Sequence, residues 1–184
     1  MKRFLATTLC VFAILGLLSG CGANESAARR FREKVASASE IDITADVSAD
    51  YGGRVVRYRL RYTESDGQGS VEVLEPELIA GIKARVSDRT ASLEFDGVIL
   101  ESGKLDIDGL TPVSALPAIV NSMRTGHIAA TGRERDLLIL DITVSENSRQ
   151  QLRLDAETLT PIRAEIRSGD VMYVFCEIIS VSMT

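Results

Sequence analysis

The chain has 184 residues, no tryptophan and a single histidine, and its formal net charge at pH 7 is −5. This length is enough for one folded domain. The excess of acidic residues excludes a typical nucleic-acid-binding surface, which needs clustered positive charge to neutralise phosphates. A single histidine also excludes metal sites built from several histidines.

The first twenty residues predict a signal peptide rather than part of the fold. Lys2 and Arg3 supply its positive start, and the apolar run LATTLCVFAILGLL follows at 5–18. A membrane-spanning helix and an ordinary signal peptide are the alternatives. The ending Leu18-Ser19-Gly20-Cys21 matches the bacterial lipobox, in which an aliphatic residue and two small residues precede the cysteine that becomes acylated. We therefore expect cleavage of residues 1–20 and lipidation of Cys21.

Acylation of Cys21 predicts a lipoprotein anchored on the extracytoplasmic face of the cell membrane. A diacylglyceryl cysteine carries at least two acyl chains, and two give stable anchoring because each buried methylene contributes about 0.8 kcal/mol. Cleavage also removes Lys2 and Arg3, so 19 basic and 26 acidic residues remain and the formal charge becomes −7. Because anionic lipid attracts basic rather than acidic surfaces, we expect the anchor to hold the body away from the headgroups.

The mature chain is predicted to begin with an acylated tether at 21–27 and to continue as one domain at 28–184. A short helix opens that domain, since Ala28, Phe31, Val35 and Ala38 recur at helical spacing. Cys176 is the only cysteine left once the signal peptide is removed and Cys21 is acylated. It has no disulfide partner, and we expect it to be a small buried hydrophobic residue.

Most of the domain predicts antiparallel β-structure. Apolar and polar residues alternate along 41–48 and again along 56–62, as in half-buried strands, and Asp96-Gly97 is a tight hairpin signal. The many short strands between turn signals indicate a meander curled around a core. Further strands are predicted at 70–75, 82–86, 91–95, 98–100, 137–144, 151–154, 162–166 and 171–181.

One segment in the middle of the chain predicts a helix near 111–125. Thr111 is a suitable cap, Pro112 fits the first helical position, and Gly126 follows as a stop. The helix either packs on the sheet as ordinary core or acts as a lid over an apolar concavity. Its apolar stripe consists of Val113, Leu116, Ile119, Val120 and Met123.

No residues form a convincing active site, and we expect no enzyme activity, no metal and no cofactor. His127 lies just after a helix stop, where a surface or capping role is typical. Asp106 and Asp108 resemble the start of a calcium loop, but the closing glutamate is missing. The carboxylates of Glu72, Glu75 and Glu77 follow strand alternation and indicate a solvated face.

Several local motifs resemble the LolA/LolB superfamily of lipoprotein-sorting and lipid-binding proteins, in particular a lipidated branch in spore-forming Firmicutes that includes the germination lipoprotein GerS. The blocks EPELIAGI at 75–82 and LEFDG at 93–97 carry most of the resemblance. Thr111-Pro112 at the start of the central helix and TPIRAEI at 160–166 also fit that branch. The motifs lie at turns and strand starts, so they specify the fold better than the task.

The resemblance implies an open antiparallel half-barrel, mainly β in an α+β class, with helices over its concave face. LolA-type members hold acyl chains of client lipoproteins there, and buried apolar surface suffices for such binding. On this interpretation the ligand groove is lined by a set of inward apolar residues: Val56, Tyr58, Leu60, Leu93, Val113, Leu116, Ile119, Val120 and Met123.

The GerS branch implies a second possibility, a membrane-tethered adaptor that binds an envelope protein such as a cell-wall amidase during spore cortex modification. The two hypotheses predict different interiors. A groove of several hundred Å³ beneath the central helix favours lipid or acyl-chain binding, whereas a filled interior favours the adaptor.

Overall fold

The computed structural model describes residues 22–87, 90–95, 97–104, 106 and 108–184. The predicted signal peptide, the predicted lipidation site Cys21 and Asp96 of the predicted hairpin signal lie outside this range. The described chain folds into one eleven-stranded sheet with two α-helices. The strands are β1 (Glu40–Asp50), β2 (Val55–Ser65), β3 (Gln68–Glu75), β4 (Lys83–Ser87), β5 (Thr90–Phe95), β6 (Val98–Lys104), β7 (His127–Glu134), β8 (Leu137–Thr143), β9 (Ser148–Asp155), β10 (Pro161–Ser168) and β11 (Val171–Met183).

The sheet consists of two antiparallel meanders joined in its middle. The strand order is β6-β5-β4-β3-β2-β1-β11-β10-β9-β8-β7, so β1 pairs with β11 and β6 and β7 are the two edges. The described residues show no pairing between these two edges, and the sheet is an open half-barrel rather than a closed barrel. The predicted LolA-like fold class is therefore confirmed.

Alternation along the central strands creates one apolar concave face. In β1, Ile41, Ile43, Ala45, Val47 and Ala49 are all buried, while the residues between them are only partly buried. Neighbouring strands continue this face with Leu60, Tyr62, Val71 and Val73 on one side and with Cys176 and Val174 on the other. Branched and aliphatic side chains at every second position suit a half-buried strand, which explains why these segments pair.

Helix α1 spans residues 22–37 and covers part of the concave face. Its buried residues Ala28, Phe31 and Val35 recur at helical spacing and join the common core. The helix begins six residues before the position predicted from its apolar pattern, so residues 22–27, predicted as a tether, are helical. Ala27 is buried with the others, so the buried stripe begins one residue earlier than the predicted one.

Helix α2 (Pro112–Thr125) connects the two edge strands and also lies in the concavity. It packs on β1, β2 and β3. A short 3₁₀ helix, Glu77–Ile79, connects β3 to β4. The three connections β1–β2, β3–β4 and β5–β6 lie at the same end of the sheet, because successive strands of a meander run in opposite directions.

Candidate functional site

Local sequence defines the start of α2. The hydroxyl of Thr111 accepts a hydrogen bond from the Ser114 backbone N–H, and the Ser114 hydroxyl accepts one from the Thr111 backbone N–H, which completes a capping box. Pro112 occupies the first turn, where its missing N–H leaves no unpaired donor. At the other end, the Gly126 backbone N–H donates to the Ser122 carbonyl.

Polar contacts hold the C-terminal half of α2 against the sheet. Arg124 forms a partly buried ion pair with Glu64 on β2, and the Tyr62 hydroxyl donates to the same carboxylate at 2.5 Å. Burial and this carboxylate raise the pKa of Tyr62 well above its ordinary value. Ser122 donates to the side-chain carbonyl of Gln150 inside the core. These contacts attach α2 to both halves of the sheet, through β2 and β9.

The interior beneath α2 is filled. A side chain that borders a water-sized void keeps some accessible surface, so a fully buried side chain faces packed atoms. The predicted groove residues with at most 1% exposure are Leu60, Leu116, Ile119, Val120 and Met123. These five side chains pack against one another and the sheet as one core.

The remaining groove candidates lie nearer the surface. Val56, Tyr58, Leu93 and Val113 are partly buried and border the same core. Val56 and Tyr58 stand opposite Ala49 and Val47 on the concave side of β2. They form the mouth of the concavity, beside the N-terminus of α2. The Tyr51 hydroxyl reaches the Leu110 carbonyl there at 3.5 Å, and partial burial raises the pKa of Tyr51.

The end of the sheet that carries the β1–β2, β3–β4 and β5–β6 connections exposes large apolar side chains. We call this set the apolar rim. Leu78, in the 3₁₀ helix, has 91% of its surface exposed, and the other members are between 47% and 61% exposed. The rim consists of Tyr51, Val55, Leu78, Phe95, Val98 and Ile99. Large apolar patches on the surface of soluble domains mark interaction sites.

The opposite end of the N-terminal half-sheet is polar. A cavity of about 840 Å³ lies near the β2–β3 connection, bordered by Ser65, Gln68 and Ser70 together with Lys83 and Arg85 of β4. Hydroxyl, amide and charged groups of this kind would be desolvated without compensation by an acyl chain. Val86 and Ala91 also border the cavity, but its charged and hydroxyl groups make it a poor site for an apolar ligand.

The convex face of the sheet is a charged surface. Arg59 bridges Asp46 at 2.8 Å and Glu75 at 2.6 Å, and Arg61 pairs with Asp42 at 2.6 Å. These ion pairs are solvent-exposed and contribute little to stability. They keep the convex face hydrophilic, so the exposed large apolar residues described in the N-terminal half-sheet are those of the rim.

The described residues hold no group of three histidine, cysteine or acidic side chains that could bind a metal ion. His127 is exposed at the start of β7, and Glu72 and Glu75 are paired with basic residues of the convex face. The Asp106 carboxylate accepts backbone N–H groups of Asp108 and Leu110 and so stabilises a turn. No helix in the described part of the chain is long and apolar enough to cross a membrane.

Sequence reasoning identified α2 and the core but not the rim. The exposed residues belong to motifs already noted, since Leu78 lies in EPELIAGI and Phe95 in LEFDG. An apolar residue inside a turn is the available signal, because turns are usually polar. That the three connections lie at one end of the sheet can be recognised only once the strand order is known.

Comparisons with known proteins report on the fold. A scan against protein-family models finds no match, and a search of curated proteins finds none. Among solved structures, the chain is similar to a DUF1329 family protein from Desulfovibrio piger, with 13% identity, a TM-score of 0.51 and coverage of 89% of this chain and 92% of that one. An uncharacterized conserved protein from Thermus thermophilus is 9% identical with a TM-score of 0.50, over 87% of this chain and 86% of that one.

A LolA superfamily protein from Nitrosomonas europaea is 11% identical, with a TM-score of 0.49 over 87% of this chain and 93% of that one. At such identities a likeness concerns the fold alone. The chain thus has the open half-barrel architecture, and its task has to be argued from the surfaces of this molecule.

Proposed function

We propose that the protein is a LolA/LolB-like lipoprotein, acylated at Cys21 and held on the extracytoplasmic face of the cell membrane, which acts as a non-enzymatic adaptor for an envelope protein. The partner binds at the apolar rim. The single observation that carries this proposal is the contrast between a filled interior beneath α2 and six exposed apolar side chains at one end of the sheet. The apolar surface that a partner could contact therefore lies at the rim and not in the concavity.

The rim is suited to binding because its exposed surface is not needed for the fold. Burying a large aliphatic or aromatic side chain completely contributes about 1.5–3 kcal/mol. Leu78, on the β3–β4 connection, is 91% exposed, and Phe95, the last residue of β5 before the β5–β6 connection, is 51% exposed. The meander brings both connections to one end of the sheet. A few such anchors can supply most of the affinity of a protein interface.

The identity of the partner comes from the resemblance to the GerS branch, which implies a cell-wall amidase acting on the spore cortex. A membrane-tethered adaptor would hold such an enzyme near its substrate layer. Tethering raises the local concentration of the bound partner without any new contact. An adaptor of this kind needs no catalytic groups of its own.

Site-specific photocrosslinking in the native host tests the rim. A photoreactive residue replaces Leu78 in one variant and Ile179 in a matched variant, since Ile179 is an exposed apolar residue of β11 with 52% exposure. We expect one envelope protein to crosslink at position 78 and not at position 179. The same proteins crosslinked equally at both positions would contradict the proposal.

A second function, acyl-chain binding in the concavity, is favoured by one observation. Val56, Tyr58 and Val113 remain partly exposed at the mouth, and Leu93 on β5 is partly exposed as well. Entry of a chain would require α2 to move, which would expose four large side chains at a cost of about 6–12 kcal/mol. About 8–15 buried methylenes would offset that cost.

Lipid analysis of the natively purified protein tests this second function. Val113→Asp leaves the core residues of α2 in place but adds a charge at the mouth, and it should lower the amount of bound lipid. Asn121→Asp adds the same charge at an exposed position of α2 and serves as the control. A protein free of stoichiometric lipid in both forms would exclude the second function and leave the first intact.

A further inference from the structure

A cavity of about 320 Å³ lies between α1 and the edge strand β7. Arg29 and Arg32 border it from the helix, and Ile128 and Thr131 border it from the strand. Neither arginine forms an ion pair within the described part of the chain. Two guanidinium groups without carboxylate partners thus face one small space.

Arg32 is held in position but incompletely paired. Its Nη2 donates to the Gly126 carbonyl at the junction of α2 and β7. Its Nε is buried and has no hydrogen-bond acceptor among the described residues. Buried N–H donors are nearly always paired in folded proteins, and a charged one is costly to leave without an acceptor. The Nε of Arg32 therefore lacks an accepting group, and the Glu25 carboxylate that also borders the cavity does not supply one.

Charge is distributed unevenly along the mature chain. Residues 22–37 hold the four basic residues Arg29, Arg30, Arg32 and Lys34 against the two acidic residues Glu25 and Glu33. The mature chain as a whole has 19 basic and 26 acidic residues. The positive helix α1 is thus attached to an acidic body. An anion that approaches the molecule is attracted to this helix and repelled elsewhere.

The position of α1 along the chain points to the source of that anion. Residue 22, which directly follows the predicted lipidation site in the sequence, already belongs to the helix, so the described residues leave no non-helical segment between that site and the arginines. At 1.5 Å of rise per residue, Arg29 and Arg32 lie only about 10 and 15 Å along the helix axis from Gly22, the residue that follows Cys21 in the sequence. If α1 lies along the membrane surface, both side chains are at the depth of the phospholipid headgroups.

We propose that the cavity between α1 and β7 binds the headgroup phosphate of a membrane phospholipid. Arg29 and Arg32 donate hydrogen bonds to the phosphate oxygens, with the Nε of Arg32 gaining its acceptor, and the Thr131 hydroxyl is a further donor. Glu25 also borders the cavity and accepts from the hydroxyl or amine groups of the headgroup. The site places α1 flat on the bilayer and orients the half-barrel.

This inference rests on the tethering part of the proposed function and reverses one expectation from composition. The overall acidity predicts a body held away from the headgroups. The helix next to the anchor is basic, and each arginine near an anionic bilayer surface contributes about as much as a fivefold change in binding. Local charge thus dominates over net charge at short range, since salt screens charges farther away than about 8–10 Å.

A fluorescent label near the cavity tests the proposal. Ala130→Cys places a reactive thiol at the exposed edge of the cavity, while Cys176 is fully buried and does not compete for the label. The labelled acylated protein is reconstituted into phosphatidylcholine vesicles, with or without phosphatidylglycerol, that carry a nitroxide quencher on the headgroup. We expect strong quenching with phosphatidylglycerol, reduced by high salt.

Matched charge variants test whether the quenching depends on the two arginines that border the cavity or only on the charge of α1. Arg29→Gln combined with Arg32→Gln should remove most of the quenching, and Arg29→Gln alone should weaken it without disturbing the contact to Gly126. Arg30→Gln combined with Lys34→Gln removes the same charge from exposed positions outside the cavity and should keep the quenching. Equal quenching in all variants would overturn the proposal.

Two further measurements separate this site from the anchor. Flotation with vesicles reports tethering through Cys21 independently of the label. Titration of glycerophosphoglycerol, the headgroup without acyl chains, into the detergent-solubilised labelled protein reports the site alone, and Arg29→Gln should weaken this binding several-fold because one of the two guanidinium donors is lost. If the protein does not float with vesicles but still binds the headgroup, the tethering through Cys21 is contradicted and the phosphate site is retained. If the protein floats with vesicles but does not bind the headgroup, the phosphate site is contradicted and the tethering is retained.

Discussion

Leu116 and Leu78 show how differently the same side chain is used in this molecule. Leu116 on α2 has no exposed surface and belongs to the main core, whereas Leu78 in the 3₁₀ helix is almost fully exposed. Burial of the first stabilises the fold, and exposure of the second leaves an apolar group available to a partner. Both positions follow apolar patterns in the sequence, which identify apolar residues but not what covers them.

The two leucines make a matched test of this difference. Leu116→Ala should lower the free energy of unfolding by about 2–5 kcal/mol, because it removes buried methyl groups and leaves a cavity. Leu78→Ala should change it by no more than about 0.5 kcal/mol. Urea denaturation followed by circular dichroism measures both values. Comparable losses in the two variants would show that Leu78 is covered in the folded protein.

The single buried thiol gives a second prediction at this scale. Burial raises the pKa of Cys176 to about 12, so the reactive thiolate is nearly absent at pH 8. In the mature acylated protein we expect no labelling of Cys176 by maleimide until denaturant unfolds the chain. Mass spectrometry of the labelled protein checks this. Rapid labelling under native conditions would mean that β11 opens readily at this position.

At the scale of elements, strands with regular alternation were predictable and the edge strand β7 was not. β1 and β2 keep their apolar residues on one face over most of their length, and their predicted segments lie within the observed ones. β7 (HIAATGRE) contains small and charged residues, and a bulge between Ile128 and Ala130 breaks its alternation. Its pairing with β8 is therefore determined by the surrounding fold and not by an apolar pattern in its own sequence.

The central helix was predictable because its cap is encoded locally, in the order Thr111, Pro112 and Gly126. The capping box with Ser114 confirms the predicted start. Whether α2 acts as a lid was not decided by its apolar stripe, because a stripe of this width fits both a packed helix and a cover over a cavity. The complete burial of Leu116 and Ile119 shows a packed helix in this structure.

Loss of the helix cap gives a prediction at the same scale. Thr111→Ala removes the side-chain acceptor for the Ser114 N–H and should lower the free energy of unfolding by about 1 kcal/mol. Hydrogen exchange should also become faster in the first turn of α2 than in β1. Thr125→Ala, at the exposed last position of the helix, is the control, and an equal effect there would exclude a specific contribution of the cap.

At the scale of the whole molecule, the resemblance predicted the open half-barrel, and the strand order confirms it. Periodicity alone indicated only a curled meander, because alternation defines the faces of a strand but not its neighbours. The apolar rim and the α1–β7 cavity are also properties of the assembled molecule. Each combines residues from segments distant in sequence, such as Arg29 with Thr131, and neither is recognisable along the chain.

The predicted lipidation of Cys21 gives the prediction that belongs to the whole protein. Cys21→Ala should prevent acylation, so that the mature-sized protein is released from membranes or an unprocessed precursor accumulates. Fractionation with immunoblotting measures this, and mass spectrometry of the wild-type N-terminus should show an acylated Cys21. A mature-sized variant that stays on membranes would refute the lipobox assignment.

The pairing of β1 with β11 also governs when this protein can fold. These strands are the first and last of the sheet, more than a hundred residues apart in sequence, and they form the only seam between its two halves in the described chain. Contacts of such large sequence separation form slowly and late. A polypeptide emerging from the ribosome therefore lacks its central seam until synthesis is almost finished. A chain in which β1 and β11 are not yet paired is still unfolded at its core, and an unfolded chain passes through a translocation channel more easily than a folded one.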